Sequence, residues 1–155
     1  EVVWLLKRPD TRSRFLEHCR GAAPSLHLTD ASFVTLVDLF TACLRESNNN
    51  GDFESVREVF DLCSLFGTVK TGAAVFLKSG VRRHEVWRND SFWVWCIVSM
   101  FEEDERRAAS PDGPLDAGRF GVSASEMSAV LLLNRVHAVA RSMRSLRLPL
   151  SQVRA

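Results

Sequence analysis

Apolar residues recur at helical spacing along much of this chain. Between Thr29 and Glu46 the positions Phe33, Leu36, Val37, Phe40, Cys43 and Leu44 fall on one face of a helix. Thr29 or Asp30 can cap its start. The run Ser47-Asn48-Asn49-Asn50-Gly51 should end it, because Asn and Gly tolerate the left-handed backbone conformation. From Asp52 to Phe66 a second stripe forms from Phe53, Val56, Phe60 and Cys63, widened by Val59, Leu62 and Phe66. Asp52 is its expected cap, and Glu54, Arg57, Glu58 and Asp61 lie mainly on the outer face. Two helices joined by a few polar residues predict an antiparallel hairpin. Another helix is expected after Pro9-Asp10, and a short one from Ala73 to Lys78. A long one should run from the capping box Ser123–Glu126 to Ser145, with Met127, Val130, Leu131, Leu133, Val136, Val139, Ala140 and Met143 on its apolar face.

The segment His84–Trp93, HEVWRNDSFW, and the nearby Trp95 hold three of the four tryptophans. Asp90 reads as the cap of a helix over Ser91–Arg107, opened by Phe92 and Trp93. Trp87, just before the cap, can fold back on that first turn as a hydrophobic staple does. The helix is apolar almost all round from Phe92 to Phe101, which predicts burial on several sides. It turns polar at Glu102-Glu103-Asp104-Glu105. Trp95, three positions after Phe92 and so a little round the helix from it, is a candidate partner contact. Asn89-Asp90-Ser91 matches the N-glycosylation triplet, but a helix start accounts for the same residues.

Residues 108–121 carry two Pro and three Gly and read as a mobile loop; 146–155 read as a flexible tail. No run alternates apolar and polar positions as a half-buried strand would. The expected fold is all-α, with five to six helices in antiparallel hairpins and no sheet, in a single domain over 1–155. Glu1 in place of Met suggests a fragment of a longer chain.

Composition narrows the chemistry. The chain has 155 residues, 46% hydrophobic and 25% charged, the balance of a globular protein with a core of its own. A net charge of +1 gives no overall field for nucleic acid. Cys19, Cys43, Cys63 and Cys96 form no C-x-x-C pair and sit in apolar runs, so they are expected to be reduced and buried. That favours a cytoplasmic location, with membrane association left open. Phe92–Phe101 is too short to span a bilayer.

No catalytic residue, cofactor or metal site is expected. Gly67-Thr68-Val69-Lys70-Thr71-Gly72 resembles half of a phosphate-binding loop, but Ala73-Ala74 stand where Lys and Ser/Thr are required. His18, His27, His84 and His137 are scattered, and His137, near the apolar face of the last helix, reads as a core histidine. A Cys–His site assembled in space, using Cys63 or Cys96, is the enzymatic alternative. Ser110, with Arg107 upstream and Pro111 after it, could accept a kinase's phosphate. After Glu126 there are only basic charges: Arg135, Arg141, Arg144, Arg147 and Arg154. The first four are candidates for partner binding, and Glu102, Glu103 and Asp104 are their acidic counterparts. The two groups could pair within the fold or attract different partners; cations near a helix C-terminus are also expected from its dipole alone.

Three segments together resemble a known helical module: Leu36–Leu44, Asp52–Phe66 and His84–Trp93. The last is similar to a motif of the C-terminal part of the Rab exchange factors of the MAP-kinase-activating death-domain family. That motif has His or Pro, any residue, an aliphatic and Trp, then four positions and Phe-Trp. Related segments occur in the DENN-containing myotubularin-like pseudophosphatases. The order of elements resembles theirs from residue 30 to 148. The chain departs after Phe92-Trp93, where the family prefers an acid and Val94-Trp95-Cys96 stand here, and it lacks the DENN domain that carries nucleotide exchange.

The resemblance implies a non-enzymatic helical interaction or scaffold module, an accessory domain of a Rab-linked membrane-trafficking protein, with a small GTPase or scaffold as partner. Two alternatives stay open. One is a regulatory domain whose basic last helix binds calmodulin or an anionic membrane surface. The other is a structural subunit of a large assembly.

Overall fold

A computed structural model describes residues 2–22, 28–70, 73–108 and 124–148. Six α-helices dominate them: α1 (Pro9–Ala22), α2 (Asp30–Asn50), α3 (Phe53–Leu62), α4 (Lys78–Val81), α5 (Asp90–Ala108) and α6 (Ala124–Ser145). Short 3-10 turns occupy Val2–Lys7 and Glu85–Arg88. The expected all-α class holds, with one correction. Gly67–Lys70 (β1) and Ala73–Phe76 (β2) pair antiparallel, Val69 opposite Ala74 and Gly67 opposite Phe76. The expected helix over Ala73–Lys78 is therefore a strand followed by the short α4. Four-residue strands are too brief to show a period of two, which is why the pattern missed them. The legible signal was Gly72 in a two-residue connection between runs carrying Thr68, Val69 and Val75.

The chain divides into two compact units, Glu1–Arg88 and Asn89–Ala155. The division falls inside HEVWRNDSFW. Most of the expected loop 108–121, the capping-box residue Ser123, Ser110, and residues 149–155 of the expected tail lie outside the described residues.

In the first unit the caps fall where the residues allow. Thr29 accepts the Ser32 amide at the start of α2, and Asp52 accepts the Ser55 amide at the start of α3. The Ser-Asn run does not end α2 where expected; it stays helical to Asn50, and Gly51 terminates it with φ 66°. Gly51 and Asp52 donate back to the carbonyls of Asn48 and Ser47, closing the end of the helix with a left-handed turn. The link to α3 is thus only two residues, and the two helices pack on each other. The end of α3 tightens into turns over residues 63–65, four residues short of the expected Phe66.

Phe40, fully buried on α2, is the hub of the core: its ring meets Phe15 of α1 and Phe66 edge-on at 5.9 and 6.3 Å. Leu44, Val56, Val59, Leu62 and Leu77 of the same unit are likewise buried, with no exposure above 1%. The amides of Leu77 and Lys78 donate to the carbonyls of Phe66 and Cys63, pinning the base of the hairpin to the end of α3. At Gly80 the backbone of α4 comes so close to α2 that an added Cβ would lie 2.6 Å from Val37 Cγ2.

One polar side chain crosses this core. Arg12 of α1 has no exposed surface. Its guanidinium donates to the carbonyls of Leu6 and Lys7 at 2.9 and 3.1 Å and to Asp52 Oδ2 at 3.0 Å. Burial raises the Asp52 carboxyl, but hydrogen bonds from Ser55 and Arg12 outweigh it and hold the group below its ordinary value.

Removing one partner of a buried pair leaves the other without compensation, so Arg12→Ala is expected to lower the unfolding free energy by about 3 kcal/mol, read as a lower urea midpoint. Because the folded Asp52 value is depressed, its stabilisation is complete above the unfolded carboxyl's pKa and lost as pH falls through the folded one. Acid titration of stability should therefore show a loss beginning below about pH 4 that Arg12→Ala weakens.

Candidate functional site

Trp87, Phe92 and Trp93 of the tryptophan segment are buried. In the first unit Trp87 is fully buried, its Nε1–H donates to the Val81 carbonyl at 2.8 Å, and its ring meets Phe60 edge-on at 5.7 Å. Phe60 also carries the Lys78 ammonium over its face at 3.9 Å. His84 Nδ1 accepts the Val86 amide at 3.2 Å and so starts the turn that delivers Trp87. Burial holds His84 below its ordinary value; Glu85 opposes the shift and Arg45 adds to it.

In the second unit the cap of α5 moves by one residue. Asn89 Oδ1 accepts the Ser91 amide, so Asn89 rather than Asp90 is the cap. Asp90 is the first helical residue, where its charge suits the positive end of the helix. Phe92 and Trp93 are buried, with their rings 4.8 Å apart.

The expectation of burial on several sides of α5 is overturned. Val94 is 59% exposed and Val98 48% exposed, while Trp95 and Phe101 are half-buried. Val94, Val98, Glu102 and Glu105 succeed one another at helical spacing along one exposed stripe, apolar at its start and acidic at its end. The helix α6 shows a counterpart. Val139 and Met143 of α6 and Leu146 just after it are buried, whereas Val130 and Leu133, expected in the apolar face, are 53% and 56% exposed. An exposed stripe runs Val130, Leu133, His137, Arg141 and Arg144, apolar first and basic last. His137 is thus a surface residue, not the expected core histidine.

The helices α5 and α6 pack on one another, and Asp104 ties them: Arg135 donates from Nε and from a terminal nitrogen to its two carboxylate oxygens at 2.6 and 2.5 Å. This pair holds Asp104 below the usual carboxylate range and raises Arg135. One acidic–basic pairing thus lies inside the fold. Arg141 and Arg144 are exposed and have no acidic partner among the described residues. A cleft of about 690 Å³ lies along α6, lined by Asp104, Leu131, Asn134, Arg135, Ala138 and Arg141 together with His137, Ala140 and Arg144. Arg147 is outside it. It ends the helix at φ 59°, its amide and that of Leu148 returning to the carbonyls of Arg144 and Met143. Glu102 is exposed and Glu103 half-buried, and neither lines the cleft. Sequence periodicity missed Asn134 and Leu131 as lining residues, because it carries no information about which flank a neighbour leaves open.

Burial pushes the Cys63 thiol up to about 12, against the lowering effect of Lys78, and raises Cys43 to about 12 and Cys19 to about 11. Thiols so placed are almost wholly protonated at neutral pH and are poor nucleophiles. All four cysteines are buried thiols outside any disulfide. Among the described residues no three His, Cys, Asp or Glu side chains are placed to hold a metal, and no helix is long and apolar enough to cross a membrane.

Trp87→Ala is expected to cost about 3–5 kcal/mol in urea unfolding, whereas Trp87→Phe keeps most of the packing and loses the Val81 hydrogen bond. The His84 contact should be present above the ordinary imidazole value and lost as pH falls through the lower folded one, so Trp87 fluorescence should report loosening only in mild acid. No protein-family model matches this chain, and no curated protein or solved structure shows a significant match to it.

Proposed function

We propose that the chain is a non-enzymatic helical module that docks other proteins, an accessory domain of a Rab-linked membrane-trafficking protein. The Rab link rests on the resemblance of Leu36–Leu44, Asp52–Phe66 and His84–Trp93. The docking role rests on one observation: α5 leaves Val94 and Val98 exposed beside half-buried Trp95, on a helix whose opposite side is well buried. A contiguous apolar stripe with a polar end suits a protein partner, and a small GTPase or a scaffold is the class the resemblance suggests.

The calmodulin reading of α6 is less favoured. Calmodulin targets present apolar anchors to the partner, and Val139, Met143 and Leu146 are buried within this fold. An anionic membrane surface remains the second reading for the exposed Arg141, Arg144 and Arg147.

The test is titration of the full chain against a panel of Rab GTPases in both nucleotide states. At least one should bind, with an affinity weakened about tenfold or more, or about 1.4 kcal/mol, by Val94→Asp with Val98→Asp. Both positions are exposed, so circular dichroism should stay unchanged. Binding by none of the panel would remove the Rab link, and binding that ignores the double substitution would remove this face.

A further inference from the structure

The cleft along α6 differs in kind from the apolar stripe of α5, because cationic side chains stand beside an aliphatic floor. We propose that it takes an acidic, amphipathic helical segment of a protein partner; this deepens the docking role above by naming a second surface and its ligand chemistry. Arg141 and Arg144 would pair with the segment's carboxylates, and Leu131 and Ala138 would receive its apolar residues.

Three features select this occupant. The first is length. Leu131 and Arg144 are thirteen positions apart, about 20 Å along a helix, and both line the cleft. Even Asn134 and Arg144 span about 15 Å, far more than a single phosphate group can bridge. A peptide of three or four turns matches that reach. The second is the division of charge. Arg135 is already neutralised by Asp104, so one end of the cleft offers no net cation and Asp104 would repel a carboxylate there. Arg141 and Arg144 lack an acidic partner among the described residues, which places the attractive end near the C-terminus of α6. The ligand is therefore oriented: apolar residues towards Leu131, acids towards Arg144. The third is that the fold already uses this pairing in cis, since Asp104 of an acidic helix end docks on Arg135. Guanidinium groups meet carboxylates in two-pronged geometry, which adds direction to the charge attraction.

The probe is an array of fluorescein-labelled dodecapeptides in which leucine and glutamate recur three and four apart, with lysine-for-glutamate peptides as controls. Fluorescence anisotropy with the full chain should show binding of the glutamate set alone, and it should weaken when salt rises from about 50 mM to about 300 mM as screening shortens. Arg141→Glu with Arg144→Glu should reduce affinity about tenfold or more, while Arg147→Ala, one turn on and outside the cleft, should leave it unchanged. Absence of glutamate-peptide binding, or binding indifferent to the double reversal, overturns the proposal. So does arginine-dependent binding to phosphatidylserine vesicles without peptide binding, which would make the face a membrane contact. Arginine-dependent self-association in sedimentation without peptide binding would make it a contact between copies. A Rab that still binds through Val94 and Val98 while the peptides fail would leave the docking role standing and sink only this inference.

Discussion

The buried guanidinium of Arg12 is the constraint round which the first unit is arranged. It reaches back to the carbonyls of Leu6 and Lys7, fixing the N-terminal turn on α1, and across to Asp52, fixing α1 on the junction of α2 and α3. Asp52 is itself committed twice, because it also caps α3 through the Ser55 amide. The position of Asp52 follows from Gly51, whose left-handed conformation turns the chain immediately after α2. A cap, a helix end and an ion pair therefore share two consecutive residues, and none can move without the others. The aromatic centre at Phe40 is non-directional and would tolerate sliding; the Arg12–Asp52 geometry would not.

The tryptophan segment illustrates how one sequence motif serves two bodies. Up to Arg88 it belongs to the first unit, where His84 sets the turn and Trp87 fills the space beside Phe60. From Asn89 it belongs to the second, where Asn89 starts α5 and Phe92 and Trp93 are buried. A hydrogen-bonded indole on one side of the division and a helix cap on the other leave little of the motif for ligand chemistry. The exposed sides of α5 and α6 instead carry stripes that are apolar at the start and charged at the end, with opposite signs.

Much of the helical frame was legible in the residues. Thr29, Asp52 and Gly51 each acted as their side chains or backbone freedom dictate, and Phe33, Phe40, Cys43 and Leu44 took the face that their spacing assigned. The basic run after Glu126 and the acidic run at Glu102–Glu105 were visible as charge, and the possibility of an internal pairing came with them. Which acid met which base was not visible: Asp104 took Arg135, and Arg141 and Arg144 have no acidic partner among the described residues.

By itself, then, the sequence determined the local geometry: helix periods, caps, ends, and the all-α character, because these depend on residues within a few positions of each other. Tertiary structure decided what each face meets. Arg12 looks like any surface cation in a polar stretch, yet three acceptors converge on it and it is buried. Val94 and Val98 look like core, yet among the described residues both are exposed. His137 looked like an interior histidine and lines an open cleft. In each case periodicity gives the direction in which a side chain leaves its helix, whereas burial depends on which distant segment arrives there, and that is settled only when the whole core packs.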